Sequence, residues 1–115
     1  MHITERKVRD VVVLDLMGRL TIDEGADPLR DKFNSVISAG YTKVLLNMSG
    51  VAHVDSGALG KLVSCSLRAQ RTNRTVKLCG LTGRVVELLK TTKLIEVFDT
   101  YDTEQEALAS LAVTT

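Results

Sequence analysis

The sequence predicts an α/β domain built on a single mixed β-sheet of about five strands with about four helices. Three observations carry this. Short β-branched runs alternate with helix-length amphipathic stretches, Val44, Leu45 and Leu46 form an apolar run without alternation, and turn or capping residues separate the segments. Such a run suits a strand covered on both faces, as in a sheet whose parallel strands are joined by helices.

The elements follow in order. Ile3 to Val8 and Val11 to Met17, separated only by Arg9 and Asp10, predict a β-hairpin, with Gly18 ending the second strand. The acidic loop TIDEGAD leads to Pro28, a residue suited to the first position of a helix with Asp27 as its cap. Leu29, Phe33, Val36 and Ile37 then form one apolar stripe, and Gly40 is placed to close the helix. Lys43 to Met48 predicts the central strand.

After the connection SGVAHVDSG, a second helix is expected from about Gly57 to Arg71. Leu59, Leu62, Val63, Ser66 and Leu67 would face inward and Lys61, Arg68 and Arg71 outward. Val76 to Cys79 predicts a fourth strand. Thr82 is placed to cap a third helix that turns Val85, Val86, Leu88 and Leu89 inward, and Val97 to Tyr101 gives the last strand. Thr103 followed by Glu106 has the spacing of a capping box for a fourth helix, with Ala107, Leu108 and Leu111 as its stripe. No repeat or linker interrupts the chain, so one domain over 1–115 is expected; strand order is not readable from these patterns.

Composition narrows the function. Fifteen Lys and Arg against fourteen Asp and Glu leave a net charge of +1, and two Phe, two Tyr and no Trp provide few stacking platforms, so direct nucleic-acid binding is not expected. No apolar run approaches the roughly 20 residues needed to cross a bilayer, and the charged start MHITERKVRD lacks the apolar stretch of a signal peptide, so a cytoplasmic location without membrane attachment is expected. Cys65 and Cys79 lack metal-ligand spacing and read as reduced core thiols; no metal or cofactor is predicted.

An enzyme would need converging acid, base or nucleophile groups. His2 and His53 sit in no such arrangement. GALGK falls short of a phosphate loop because Asp55 stands where the first Gly must be and Leu62 follows Lys61. Catalysis is therefore not expected. The basic stretch Arg68, Arg71, Arg74 and Lys77 reads as a solvated face. With no heptad seam, a monomer or weak dimer is expected.

The most informative stretch is NMSGVAHVDSGALGKLV, where a buried strand runs through a turn into a helix with Asp55 and Ser56 at its entrance. A helix start has unpaired N–H groups and a partial positive charge, so a hydroxyl or phosphate there finds donors already oriented. Ser56 or Asp55 can equally serve as a plain helix cap, and spacing leaves both readings open.

The stretch resembles the signature of the STAS family, the fold of anti-sigma-factor antagonists: Val54, Asp55, Ser56, Leu59 and Gly60 match its pattern, GRLT resembles the loop before the first helix, and LLNMSGV resembles the central strand. The chain departs from it in Gly57, where many members have a second Ser, in Ala58, commonly Gly, and in Asn47 and Thr21, often Asp. The resemblance implies that Ser56 is phosphorylated by an anti-sigma factor that is a serine kinase, and that a protein serine phosphatase reverses this. Asp55, Ser56, Gly57, Ala58, Thr21 and Asp23 would bind the partner, and the state of Ser56 would regulate sigma-factor-dependent transcription. The same fold also implies two alternatives, a non-phosphorylated STAS scaffold and a small STAS subunit of a lipid-transport complex, in which Ser56 would be only a cap.

Overall fold

The computed structural model describes residues 1–112; the end of the expected domain, 113–115, lies outside the described residues. The elements are β1 (His2–Val8), β2 (Val11–Leu20), α1 (Ala26–Ser38), β3 (Lys43–Val54), α2 (Ser56–Arg71), β4 (Thr75–Cys79), α3 (Gly83–Thr91), β5 (Asp99–Tyr101) and α4 (Glu104–Leu111). They form one mixed five-stranded sheet in the order β1-β2-β3-β4-β5. The β1–β2 pair is antiparallel and the other three pairs are parallel. The expected fold class is the observed one.

The two-residue period of the central strands creates two cores. Val12, Leu14, Leu16, Val44, Leu46, Val76 and Leu78 point to the face covered by α1, α2 and α3, which contribute Leu29, Phe33, Leu59, Leu62, Val85 and Leu89 among others. Val11, Val13, Leu45 and Cys79 point to the opposite face, where α4 supplies Ala107 and Leu111. Val44, Leu45 and Leu46 each have 0% exposure, which explains why that run does not alternate: both of its faces are covered.

Several boundaries differ from the sequence-based expectation. β2 does not stop at Gly18. It passes through register shifts after Asp15 and Met17 and pairs again at Arg19–His53 and Leu20–Val54. Likewise β3 continues past Met48 to Val54, so most of the expected connection is strand; the backbone pairing with β2 overrides the weak strand signal of SGVAHV. β5 is shorter than Val97–Tyr101, Phe98 being a buried core residue just before it.

Capping also differs in detail. Asp27 does not cap α1: the N-cap is Gly25, and Asp27 lies in the first turn, where it pairs with Lys61 of α2 and with Arg30. Gly40 does close the helix, at φ +98° with its N–H on the Ile37 carbonyl. Thr82 stands at the N-cap of α3 without a side-chain cap; its hydroxyl donates to the Val51 carbonyl at 3.4 Å. Thr103 caps α4, accepting from the Glu106 N–H at 3.1 Å, while its hydroxyl donates to the Glu106 carboxylate.

On α2, Leu67 is exposed rather than inward. The buried face runs through Leu59, Leu62, Cys65, Ser66 and Ala69, about 100° per residue apart, and Leu67 falls outside that arc. Lys77 is not part of a solvated face. Its ammonium donates to the Tyr101 hydroxyl at 3.0 Å and Ser110 Oγ at 2.8 Å, joining β4, β5 and α4. Both cysteines are buried free thiols.

Candidate functional site

The site forms where the ends of β2 and β3 meet the start of α2. The Asp55 N–H donates to the Leu20 carbonyl at 3.2 Å, which fixes the turn out of β3 against the end of β2. Asp55 itself is the N-cap of α2, with extended dihedrals of φ −101° and ψ 169°. Its Oδ1 accepts from the Ala58 N–H at 2.8 Å, satisfying one of the donors that a helix start leaves free.

The carboxylate does more than cap. Both of its oxygens lie 3.1 Å from the Ile22 N–H, 33 residues earlier in the loop between β2 and α1. One side chain therefore holds two separate segments together. The Ala58 and Ile22 N–H groups, in that order, hold the carboxyl below the ordinary carboxylate range, with smaller contributions from His53 and Arg19, so it is ionised at neutral pH.

With Asp55 as the cap, Ser56 is free of that role. It is the first residue of α2 and is exposed, and among the described residues its hydroxyl has no hydrogen-bond partner. The N–H groups of Ser56 and Gly57 lie in the first helical turn, where no intrahelical acceptor exists. A charged group on Ser56 Oγ would meet these donors and the positive end of the helix dipole.

Gly57 is explained by a close approach. A Cβ placed there would lie 2.9 Å from Ile22 Cβ and 3.3 Å from its Cγ1, so the Ile22 side chain lies over the glycine. This packing accounts for the absence of a second serine. Ile22 is itself 44% exposed, and its place beside Ser56 was not anticipated. The available signal was a large aliphatic residue inside the otherwise acidic and small loop TIDEGAD.

The remaining expected site residues divide by exposure. Asp23 is exposed on the same loop. Ala58 is 2% exposed and packs inward from the second turn. Thr21 is buried, and its hydroxyl donates to the Glu24 carbonyl at 3.2 Å while accepting from the Glu24 N–H at 3.1 Å. The Thr21 and Ala58 side chains therefore shape the surface, while Ser56, Asp23 and Ile22 present it. His53 is exposed nearby, and His2 lies on β1.

Among the described residues, no group of three or more His, Cys, Asp or Glu could hold a metal ion, and no helix is long and apolar enough to cross a membrane. The polar cluster on the opposite sheet face is structural: the Arg6 guanidinium bridges Asp15 and Glu104, and Asn47 donates to Asp15 at 2.8 Å.

A family model for the STAS domain matches residues 2–107. The chain is similar to the crystal structure of a candidate anti-sigma factor antagonist, TM1081 of Thermotoga maritima, at 27% identity and a TM-score of 0.84, over 94% of this chain and 92% of that one. An anti-sigma-factor antagonist (STAS) domain protein of Planctomyces limnophilus matches at 27% identity and a TM-score of 0.81, covering 96% and 97% of the two chains. The phosphorylated form of the Bacillus cell fate determinant SpoIIAA shares the fold at 19% identity and a TM-score of 0.72, over 96% and 99%. No curated protein matches the chain by sequence.

Proposed function

The chain belongs to the STAS domain family, and from that premise we propose that it is an anti-sigma-factor antagonist acting as a partner switch set by phosphorylation of Ser56. The observation that carries this reading is the division of labour at the start of α2: Asp55 does the capping, and the adjacent Ser56 hydroxyl is left exposed and unbonded among the described residues. A serine needed only as a cap would have its oxygen on an N–H of the first turn. SpoIIAA, which shares the fold, exists in a phosphorylated form.

In the unmodified state the surface of Ser56, Ile22 and Asp23 docks onto an anti-sigma factor, which then releases its sigma factor. The anti-sigma factor is also a serine kinase, and it ends the interaction by phosphorylating Ser56; a protein serine phosphatase restores it. Asp55, Gly57, Ala58 and Thr21 set the shape of that surface. Nucleotide belongs to the kinase, so the chain acts as a cytoplasmic binding domain with no catalysis of its own.

Phosphate adds a charge of about −1.5 to −2 and three acceptor oxygens next to the ionised Asp55. In the free domain the first-turn N–H groups and the helix dipole favour it by about 0.3–1 kcal/mol, so the fold is retained. In the complex the same charge must be desolvated beside Asp55 and the apolar Ile22. A hundredfold loss of affinity corresponds to about 2.7 kcal/mol, within reach of one misplaced dianion.

The test is incubation with the cognate anti-sigma kinase and ATP, followed by mass spectrometry. Phosphate is expected on Ser56 alone; phosphate elsewhere, or none, overturns the reading. Ser56→Asp is expected to keep the melting temperature and lose anti-sigma binding, and Ser56→Ala to bind without being switched off. Equal affinities for the two variants would reject the electrostatic mechanism.

A further inference from the structure

A second polar feature lies away from Ser56, in a crevice of about 190 Å³ between the C-terminal halves of α1 and α2. Phe33 and Ile37 of α1 contribute apolar surface, and Asn34, Arg68 and Arg74 contribute polar groups. Among the described residues neither arginine has a carboxylate within 4.0 Å. Among the described residues Arg68 donates only to Asn34 Oδ1 at 3.4 Å and to Cys65 Sγ at 3.7 Å, both weak acceptor contacts.

Arg74 is the more unusual of the two. Its Nε is sealed from solvent and, among the described residues, has no hydrogen-bond acceptor. A buried donor without an acceptor is unfavourable and rare in folded proteins. Backbone geometry holds the residue in this place: Asn73 takes φ +61°, the Asn73 N–H donates to the Gln70 carbonyl, and the Arg74 N–H returns to the Ala69 carbonyl at 2.8 Å. This is the Schellman closure of a helix, which turns the residue after the left-handed position back against the last turns.

Basic residues at a helix C-terminus commonly serve only to balance the helix dipole. Here much of that demand is met by other groups. The Arg68, Ala69 and Gln70 carbonyls accept from the Thr72 hydroxyl and from the N–H groups of Thr72, Asn73 and Arg74. Both arginines thus line one crevice, and among the described residues neither has a counter-charge.

We propose that the crevice lined by Arg68 and Arg74 is a binding site for a small phosphate-type oxyanion, inorganic phosphate or a phosphate monoester. Guanidinium forks match phosphate oxygens in pairs. A phosphate approaching −2 balances both arginines, whereas a single carboxylate balances one. Phosphate oxygens in the crevice supply acceptors to the Arg68 and Arg74 side chains that line it, and the Phe33 and Ile37 surface accommodates the organic part of an ester. The site is independent of Ser56 and does not rest on the partner-switch reading.

The experiment is an NMR titration of the arginine Nε–H signals with inorganic phosphate, chloride being exchanged for phosphate at constant ionic strength. Saturable shifts at Arg68 and Arg74 in the millimolar range are expected, lost in Arg74→Gln and weakened several-fold in Arg74→Lys, which keeps the charge but not the fork. Lys90→Gln, on the exposed side of α3, should leave the titration unchanged. Melting curves of the Arg74 variants check that the fold is kept. A linear, non-saturating response, or saturable binding that survives in both Arg74 variants, overturns the proposal. Co-sedimentation with phosphatidylcholine vesicles containing phosphatidic acid, lost in Arg74→Gln, identifies a lipid headgroup as the source of the phosphate; saturable phosphate binding without co-sedimentation identifies a free phosphate compound.

Discussion

Gly25→Ala should destabilise the loop that carries Ile22 far more than a glycine replacement ordinarily would. Gly25 has φ +90° and ψ −33°, and a Cβ there would lie 2.5 Å from the Arg19 carbonyl oxygen. The dihedral strain alone amounts to about 1–3 kcal/mol. The overlap is with backbone, so it is relieved only by moving the loop away from β2. That movement weakens the Thr21–Glu24 and Thr21–Ala26 backbone hydrogen bonds, each contributing about 1 kcal/mol. The smaller entropy of the unfolded alanine chain offsets about 0.4–1 kcal/mol. A net loss of about 3 kcal/mol results, and a 115-residue chain has an unfolding entropy near 0.24 kcal/mol per kelvin, so the melting temperature should fall by about 12 °C. Gly40→Ala is the internal control: Gly40 has φ +98° and nothing within 4 Å of its would-be Cβ, so strain less the same entropy offset operates and the fall should be about 5 °C. Thermal unfolding followed by circular dichroism compares the two. If Gly25→Ala melts at or above Gly40→Ala, the argument from the Arg19 overlap is wrong.

Gly57→Ser should displace the loop and lower the melting temperature, because its Cβ would meet Ile22 Cβ at 2.9 Å, and in the background of Ile22→Gly, which removes that Cβ, the same substitution should cost much less; a strictly additive double-mutant cycle would refute this pairing. The Asp15 carboxyl is held below its usual range mainly by Arg6, with burial opposing and Asn47 assisting. Its contribution to stability is thus present above the unfolded pKa of about 3.9 and is lost as pH falls through the lower folded value. Asp15→Asn should flatten the acid limb of stability below about pH 4 in urea titrations, and an unchanged slope would show that Asp15 is not responsible. Burial raises the Cys79 thiol to about 11, and the residue is 1% exposed. It should resist a thiol reagent at pH 8 until the protein unfolds; rapid labelling of native protein at Cys79 would contradict the packing of α4 over the sheet.

Much of this architecture was legible from spacing. The unbroken Val44–Leu46 run announced a strand covered on both sides, and the stripes on α1 and α2 announced which face they bury, because periodicity records burial directly. Asp55 and Ser56 were legible as a helix entrance for the same local reason. Which of them caps was not. That depends on the Ile22 N–H, 33 residues away, as well as on the Ala58 N–H. The continuation of β2 and β3 beyond Gly18 and Met48 was likewise hidden, since a strand end with weak propensity is decided by its pairing partner.

Local patterns along the chain set the elements, their order, most of the faces they bury and the helix entrance that places a serine after an aspartate. The strand order, the placing of α4 alone on one face, and the joining of the Ile22 loop to the start of α2 arise only on folding. The physical reason is range. Propensity, capping and amphipathic period act over a few residues, whereas the Asp55–Ile22 bond, the Ile22–Gly57 contact and the crevice between α1 and α2 arise from segments that meet only once the sheet has formed.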